Sequence, residues 1–130
     1  MKQTRVVGAL LGALLILAAG GLVSTATAGG GPTTIGVRNG TSEFSFALSR
    51  TRVSPGPAII QYHNTGEDPH DVLIQRKGSG VILEIGDTDP GDTNTLPETK
   101  LKRDSKYILW CSLDGHRDAG MEAALRVRKR

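Results

Sequence analysis

The segment Cys111-Ser112-Leu113-Asp114-Gly115-His116-Arg117-Asp118-Ala119-Gly120-Met121 brings a thiol, an imidazole and a thioether together with the spacing C-x4-H-x4-M. A loop of this length between paired strands can curl so that all three side chains face one ion. Gly115 and Gly120 permit the tight backbone turns this needs. A trigonal donor set requires a second imidazole, and His70, which follows the turn-rich Asn64-Thr65-Gly66 stretch, is the candidate. Thiolate suits Cu(I), imidazole suits Cu(II), and a weak axial sulfur completes the set used by copper electron-transfer sites. Zinc also takes Cys and His but favours four strong donors, and a thioether is not one of them.

Each of these residues has a plainer reading. A lone cysteine is usually a small buried hydrophobe, His70 alone would be an ordinary loop histidine, and Met121 opens a strand and would fill the core. Joint spacing favours the ligand reading for all four, and metal coordination also protects an unpaired thiol in an exported protein from oxidation. His63 lies on the strand face opposite Ile60 and Tyr62 and reads as a surface residue.

The inventory limits other chemistry. With three His and one Cys in 130 residues, an internal disulfide is impossible and a multicopper oxidase or nitrite reductase lacks its additional histidines. A binuclear copper site lacks its second cysteine. No G-x-S-x-G motif supports a serine hydrolase. No catalytic residues are assigned, and no enzyme is expected. Beyond residue 28 the chain carries 14 basic and 13 acidic residues, so overall charge gives no argument for nucleic acid.

The elements that must hold these residues read as short strands. Thr33 to Val37 is a weak first strand, followed by a turn at Asn39-Gly40. Phe44, Phe46 and Leu48 share one face at period two, as do Ala58, Ile60, Tyr62 and Asn64 after the Ser54-Pro55-Gly56-Pro57 break. His70 to Gln75, Val81 to Ile85, Lys106 to Ser112 and Met121 to Val127 are further strands. Asp87 to Pro97, rich in Asp, Thr, Gly and Pro, reads as an extended surface connection. Seventeen glycines and six prolines fit many turns. The expected fold is all-β, an antiparallel Greek-key β-sandwich with one core.

Residues 1–28 read as a secretory signal peptide: Lys2 and Arg5, an apolar run from Val6 to Ala19, and small residues ending Ala26-Thr27-Ala28. An uncleaved anchor is the rival reading. Either places the domain, residues 29–130, outside the cytoplasm: periplasmic, cell-surface or secreted. No cysteine follows the apolar run to carry a lipid.

Across nearly all of residues 29–130 the chain resembles the cupredoxins, the plastocyanin-like and azurin-like blue copper proteins. The matching motifs are Ser54-Pro55-Gly56 before a strand ending Asn64-Thr65-Gly66, then Pro69-His70, Tyr107 to Cys111, Gly115-His116 and Gly120-Met121. The resemblance implies one type 1 copper ion, with His70, Cys111 and His116 equatorial and Met121 axial. It also implies a single-electron carrier between a redox protein donor and acceptor. The mature form is expected to be a monomer without a membrane span. A copper carrier or chaperone using the same ligands is the alternative. Two positions depart from the family pattern: Asp114 stands where many relatives have Pro, and Asp71 where plastocyanin-like proteins often have Asn. A carboxylate at 71, near the thiolate and between the ligand loops, is expected to lower the reduction potential.

Acidic residues Glu67, Asp68, Asp71, Asp114 and Asp118 gather around the proposed ligands, with Arg117 the base among them. They read either as solvated loop residues or as a surface that steers a basic redox partner. The tail Arg126, Arg128, Lys129 and Arg130 reads as a solvated strand end, with attraction to an anionic membrane or wall polymer as the second reading.

Overall fold

The computed structural model describes residues 30–130. The segment read as a signal peptide, 1–28, lies outside the described residues. Nine strands make two facing sheets: β1 (Thr33–Asn39), β2 (Phe46–Leu48), β3 (Arg52–Val53), β4 (Gly56–His63), β5 (His70–Arg76), β6 (Ile82–Thr88), β7 (Thr93–Leu101), β8 (Ser105–Trp110) and β9 (Glu122–Val127). One sheet has the order β2-β1-β4-β7 and the other β3-β9-β8-β5-β6. No helix among the described residues is long and apolar enough to cross a membrane.

The alternation expected from sequence builds the core. On β4, Ala58, Ile60 and Tyr62 are buried while Gln61 and His63 face solvent. Across the sandwich they meet Val72, Ile74, Leu109 and Leu125, all fully buried. Burying side chains of this size contributes about 1.5–3 kcal/mol each.

The sandwich is as expected, and two of its pairings are parallel rather than antiparallel: β1 with β4 and β3 with β9. The reason is connectivity. After β2 the chain crosses to the second sheet for β3, then returns to the first, so β4 runs in the direction of β1. The surface connection expected over Asp87 to Pro97 is corrected. Asp87 and Thr88 end β6, and Thr93 begins a nine-residue strand, β7, that pairs antiparallel with β4. β7 is an edge strand and mostly exposed, so it lacks the alternating apolar pattern that marks a strand in sequence. Its Pro97 falls where the register with β4 shifts, opposite Ile59. A missing N–H is tolerated at such a bulge.

Because strands run back and forth, their connections collect at two opposite ends. One end gathers the turn after β1, the loop before β5, the β6–β7 connection and the β8–β9 loop. All four candidate ligands are there.

Candidate metal centre

His70 is the first residue of β5, Cys111 directly follows β8, His116 lies within the β8–β9 loop, and Met121 directly precedes β9. Backbone bonds close that loop: Cys111 N–H donates to Met121 C=O (3.1 Å) and Met121 N–H to His116 C=O (3.0 Å). Gly115 and Gly120 both have positive φ, 78° and 110°, the turns anticipated from sequence.

The structure brings His70, Cys111 and His116 together, with one donor atom from each lying within 4.8 Å of the others. Nδ1 of His70 and Nδ1 of His116 are 3.1 Å apart, and Cys111 Sγ is 3.9 Å and 3.5 Å from them. Atoms about 2.0–2.3 Å from a shared centre in a trigonal array are separated by roughly 3.5 Å, so the donor set fits one ion. Cys111, Met121 and His70 are fully buried, and His116 is partly exposed. Phe44 packs against the His116 ring at 4.8 Å between centroids. His63 is outside the cluster: it is exposed, and its Nδ1 lies 2.9 Å from Thr93 Oγ1.

Burial pushes the Cys111 thiol up to about 11, although hydrogen bonds from the Asp71 and Leu113 backbone oppose this. Metal binding at neutral pH therefore displaces a proton from Cys111. The Asp71 carboxylate also favours the protonated thiol. As expected for the residue after the first ligand, Asp71 ties the two ligand segments together. Its Oδ1 accepts from Ser112 N–H (2.6 Å), and its Oδ2 accepts from the Ser112 hydroxyl.

Sequence reading missed Glu43, in the turn between β1 and β2. Its Oε1 lies 2.7 Å from His70 Nε2. The same carboxylate accepts the backbone N–H groups of Glu67 and Asp68 at 3.0–3.1 Å. Burial works to raise its pKa, but the Asp68 and Glu67 N–H groups and the His70 ring outweigh this and hold it below 4.5. A carboxylate only accepts, so neutral His70 carries its proton on Nε2 and leaves Nδ1 bare toward Cys111 and His116.

Buried amides hold Glu43 in place. Asn39 donates from Nδ2 to Glu43 C=O (3.0 Å), and its Oδ1 accepts from the Tyr62 hydroxyl (2.9 Å) and Thr65 N–H (3.1 Å). Asn64 donates to the carbonyls of Asp68 and Thr88, both at 2.8 Å. A Cβ on residue 66 would push the Glu43 carboxylate and the Asn39 amide out of these positions, so Gly66 leaves both in place. Among the described residues no buried side-chain nitrogen or oxygen lacks a partner, and a fully satisfied polar network rigidifies the segments it joins.

This two-sheet sandwich, with its ligand-type residues at one end, is a cupredoxin fold. It is similar to auracyanin from Roseiflexus castenholzii, with TM-score 0.61 and 16% identity over 75% of this chain and 98% of that one. Auracyanin A, a "blue" copper protein from Chloroflexus aurantiacus, gives TM-score 0.61 and 19% identity over 75% of this chain and all of that one. Rusticyanin from Thiobacillus ferrooxidans gives TM-score 0.55 and 16% identity over 76% and 79%. At these identities the likeness establishes the fold. No family model matches the sequence, and no curated protein matches it.

Proposed function

We propose that the protein is an extracytoplasmic type 1 copper protein that passes single electrons between redox proteins, with no catalytic role of its own. His70, Cys111 and His116 would hold the ion, and Met121, which directly precedes β9 beside them, would offer a weak thioether donor. The observation that carries this reading is the convergence of three buried or half-buried donor atoms within 4.8 Å from two distant segments. The fold shared with auracyanins and rusticyanin supports it. Copper, when bound, supplies the Cu(I)/Cu(II) couple. The protein's part is to keep the donors fixed while the charge changes.

Glu43 fixes the His70 ring, Asp71 clamps Ser112 beside the thiolate, and Phe44 covers the imidazoles from the β1–β2 side. Partly exposed His116 is the ligand through which an electron most directly reaches the surface. The same rigidity favours electron transfer over copper delivery, which requires a loop that opens to release the ion. Electron paramagnetic resonance of the protein loaded with Cu(II) tests the proposal. A narrow parallel hyperfine splitting, with an intense visible band, is expected from a thiolate-bound site. A wide splitting would favour delivery, and a colourless protein would refute the ligand assignment.

A further inference from the structure

Charge is sorted between the two ends of the sandwich. At the end that carries the metal-ligand candidates, segments 39–45, 64–71, 87–93 and 111–122 contain ten Asp or Glu and one base, Arg117. At the opposite end, segments 49–56, 76–82, 99–106 and 126–130 contain twelve Lys or Arg and one acid, Asp104. Strand pairing joins these basic segments: Arg52 is opposite Arg126, Lys106 is opposite Arg126, and Lys77 N–H donates to Lys106 C=O at 2.8 Å. All but Arg76 among these bases are exposed.

Two further features fall at the basic end. The only large hydrophobic residues exposed among the described residues are Val81 (67%) and Ile82 (48%). They follow the Gly78-Ser79-Gly80 turn beside Arg76 and Lys77, and Val81 lines one shallow groove with Lys100 and Lys102. β1 also starts at this end, since Thr33 pairs with Ala58 and Gly56 pairs with Leu101.

We propose that the basic pole is a docking surface for anionic phospholipid bilayers, with Val81 and Ile82 entering the headgroup boundary and the metal-ligand end facing away. Lys and Arg side chains attract the negative surface potential of such a membrane. Two exposed apolar side chains at the start of β6 add contact that a soluble polyanion does not reward. Repulsion between the acidic end and the lipid sets the orientation. The surface works whether or not the opposite end holds a metal.

The test is co-sedimentation of the full chain with vesicles of phosphatidylcholine alone or with about one-third phosphatidylglycerol, where the difference between the two isolates the charge contribution from any effect of the apolar run. Binding should be stronger on anionic vesicles and weaken with salt. Arg126→Gln/Arg128→Gln/Lys129→Gln should lower partitioning about 100-fold, roughly fivefold per charge. Val81→Ser/Ile82→Ser should weaken vesicle binding and leave binding to polyphosphate unchanged. Trp110, the single tryptophan, sits at the far end and should escape quenching by brominated lipid. Equal binding to neutral vesicles, an unaffected triple variant, tighter binding to polyphosphate than to vesicles, or quenched Trp110 would each overturn the proposal. The salt titration uses the wild type, so it stands even where a variant folds poorly.

Discussion

Glu43→Gln keeps the shape of the side chain and removes its charge, so it isolates what the carboxylate does for His70. A hydrogen bond to a charged acceptor contributes about 1.5–3 kcal/mol, against about 0.5–1.5 for a neutral one. The Glu43 side chain is 25% exposed, so screening trims the difference to about 1 kcal/mol. The more important change is in kind. A glutamine amide can donate to Nε2, which stabilises the tautomer with its proton on Nδ1, the atom that must be bare to bind a metal. Copper or zinc affinity should fall about tenfold, the lower part of the range for partners of metal-bound histidines. Nitrogen-15 NMR of the metal-free protein should show the His70 ring as a mixture of tautomers, where the wild type shows the Nε2–H form alone. Because the folded-state pKa of Glu43 is depressed below 4.5, its stabilisation is present above that pH and is lost as pH falls through the folded value. The variant should lack this acid-dependent loss in thermal midpoint. An unchanged tautomer with affinity within twofold of wild type would refute the clamp.

Asp71→Asn should raise the midpoint potential, because the carboxylate beside the thiolate favours the more positive ion; cyclic voltammetry reads the shift, and an unchanged potential would remove Asp71 from the account. Metal-free protein should lose stability at alkaline pH. The raised pKa of Cys111, about 11, makes its contribution complete below the unfolded thiol value near 9 and lost as pH rises toward 11. Denaturant midpoints between pH 8 and 11 should show this decline, and Cys111→Ala should remove that part of it.

What could be read from the chain and what could not follows from distance and exposure. The β8–β9 loop was legible because Cys111, His116 and Met121 fall in one short segment, with two glycines where the backbone turns. His70 was legible only as the imidazole that completed their set. Glu43 was not legible, since it is 27 residues from His70 and reaches it only because the β1–β2 turn folds against the loop before β5. Asn39 and Asn64 look like ordinary turn residues, and their burial shows only once both loops are in place. β7 was missed because an edge strand with a single buried residue, Leu101, has no alternation to display. The parallel pairings depend on which sheet each strand joins, which local pattern does not encode.

The sorting of charge was concealed for a different reason. Along the chain, acidic and basic clusters alternate: Glu43, then Arg50 and Arg52, then Glu67 to Asp71, then Arg76 and Lys77. The alternation continues with Asp87 to Asp92, Lys100 to Lys106, Asp114 to Glu122, and Arg126 to Arg130. Summed, they nearly cancel, which is why net charge pointed to no partner. Each reversal of chain direction delivers one sign to one end, so a near-neutral sequence folds into two oppositely charged poles. Solubility does not require that arrangement, because interspersed signs would serve as well with less repulsion within each end. Concentrating like charge strains the compact state unless something of opposite sign lies against it. The two exposed apolar side chains are on the basic pole, and a bilayer surface accommodates both them and the cations around them. The acidic pole, where His70, Cys111 and His116 converge, is then left facing the aqueous side.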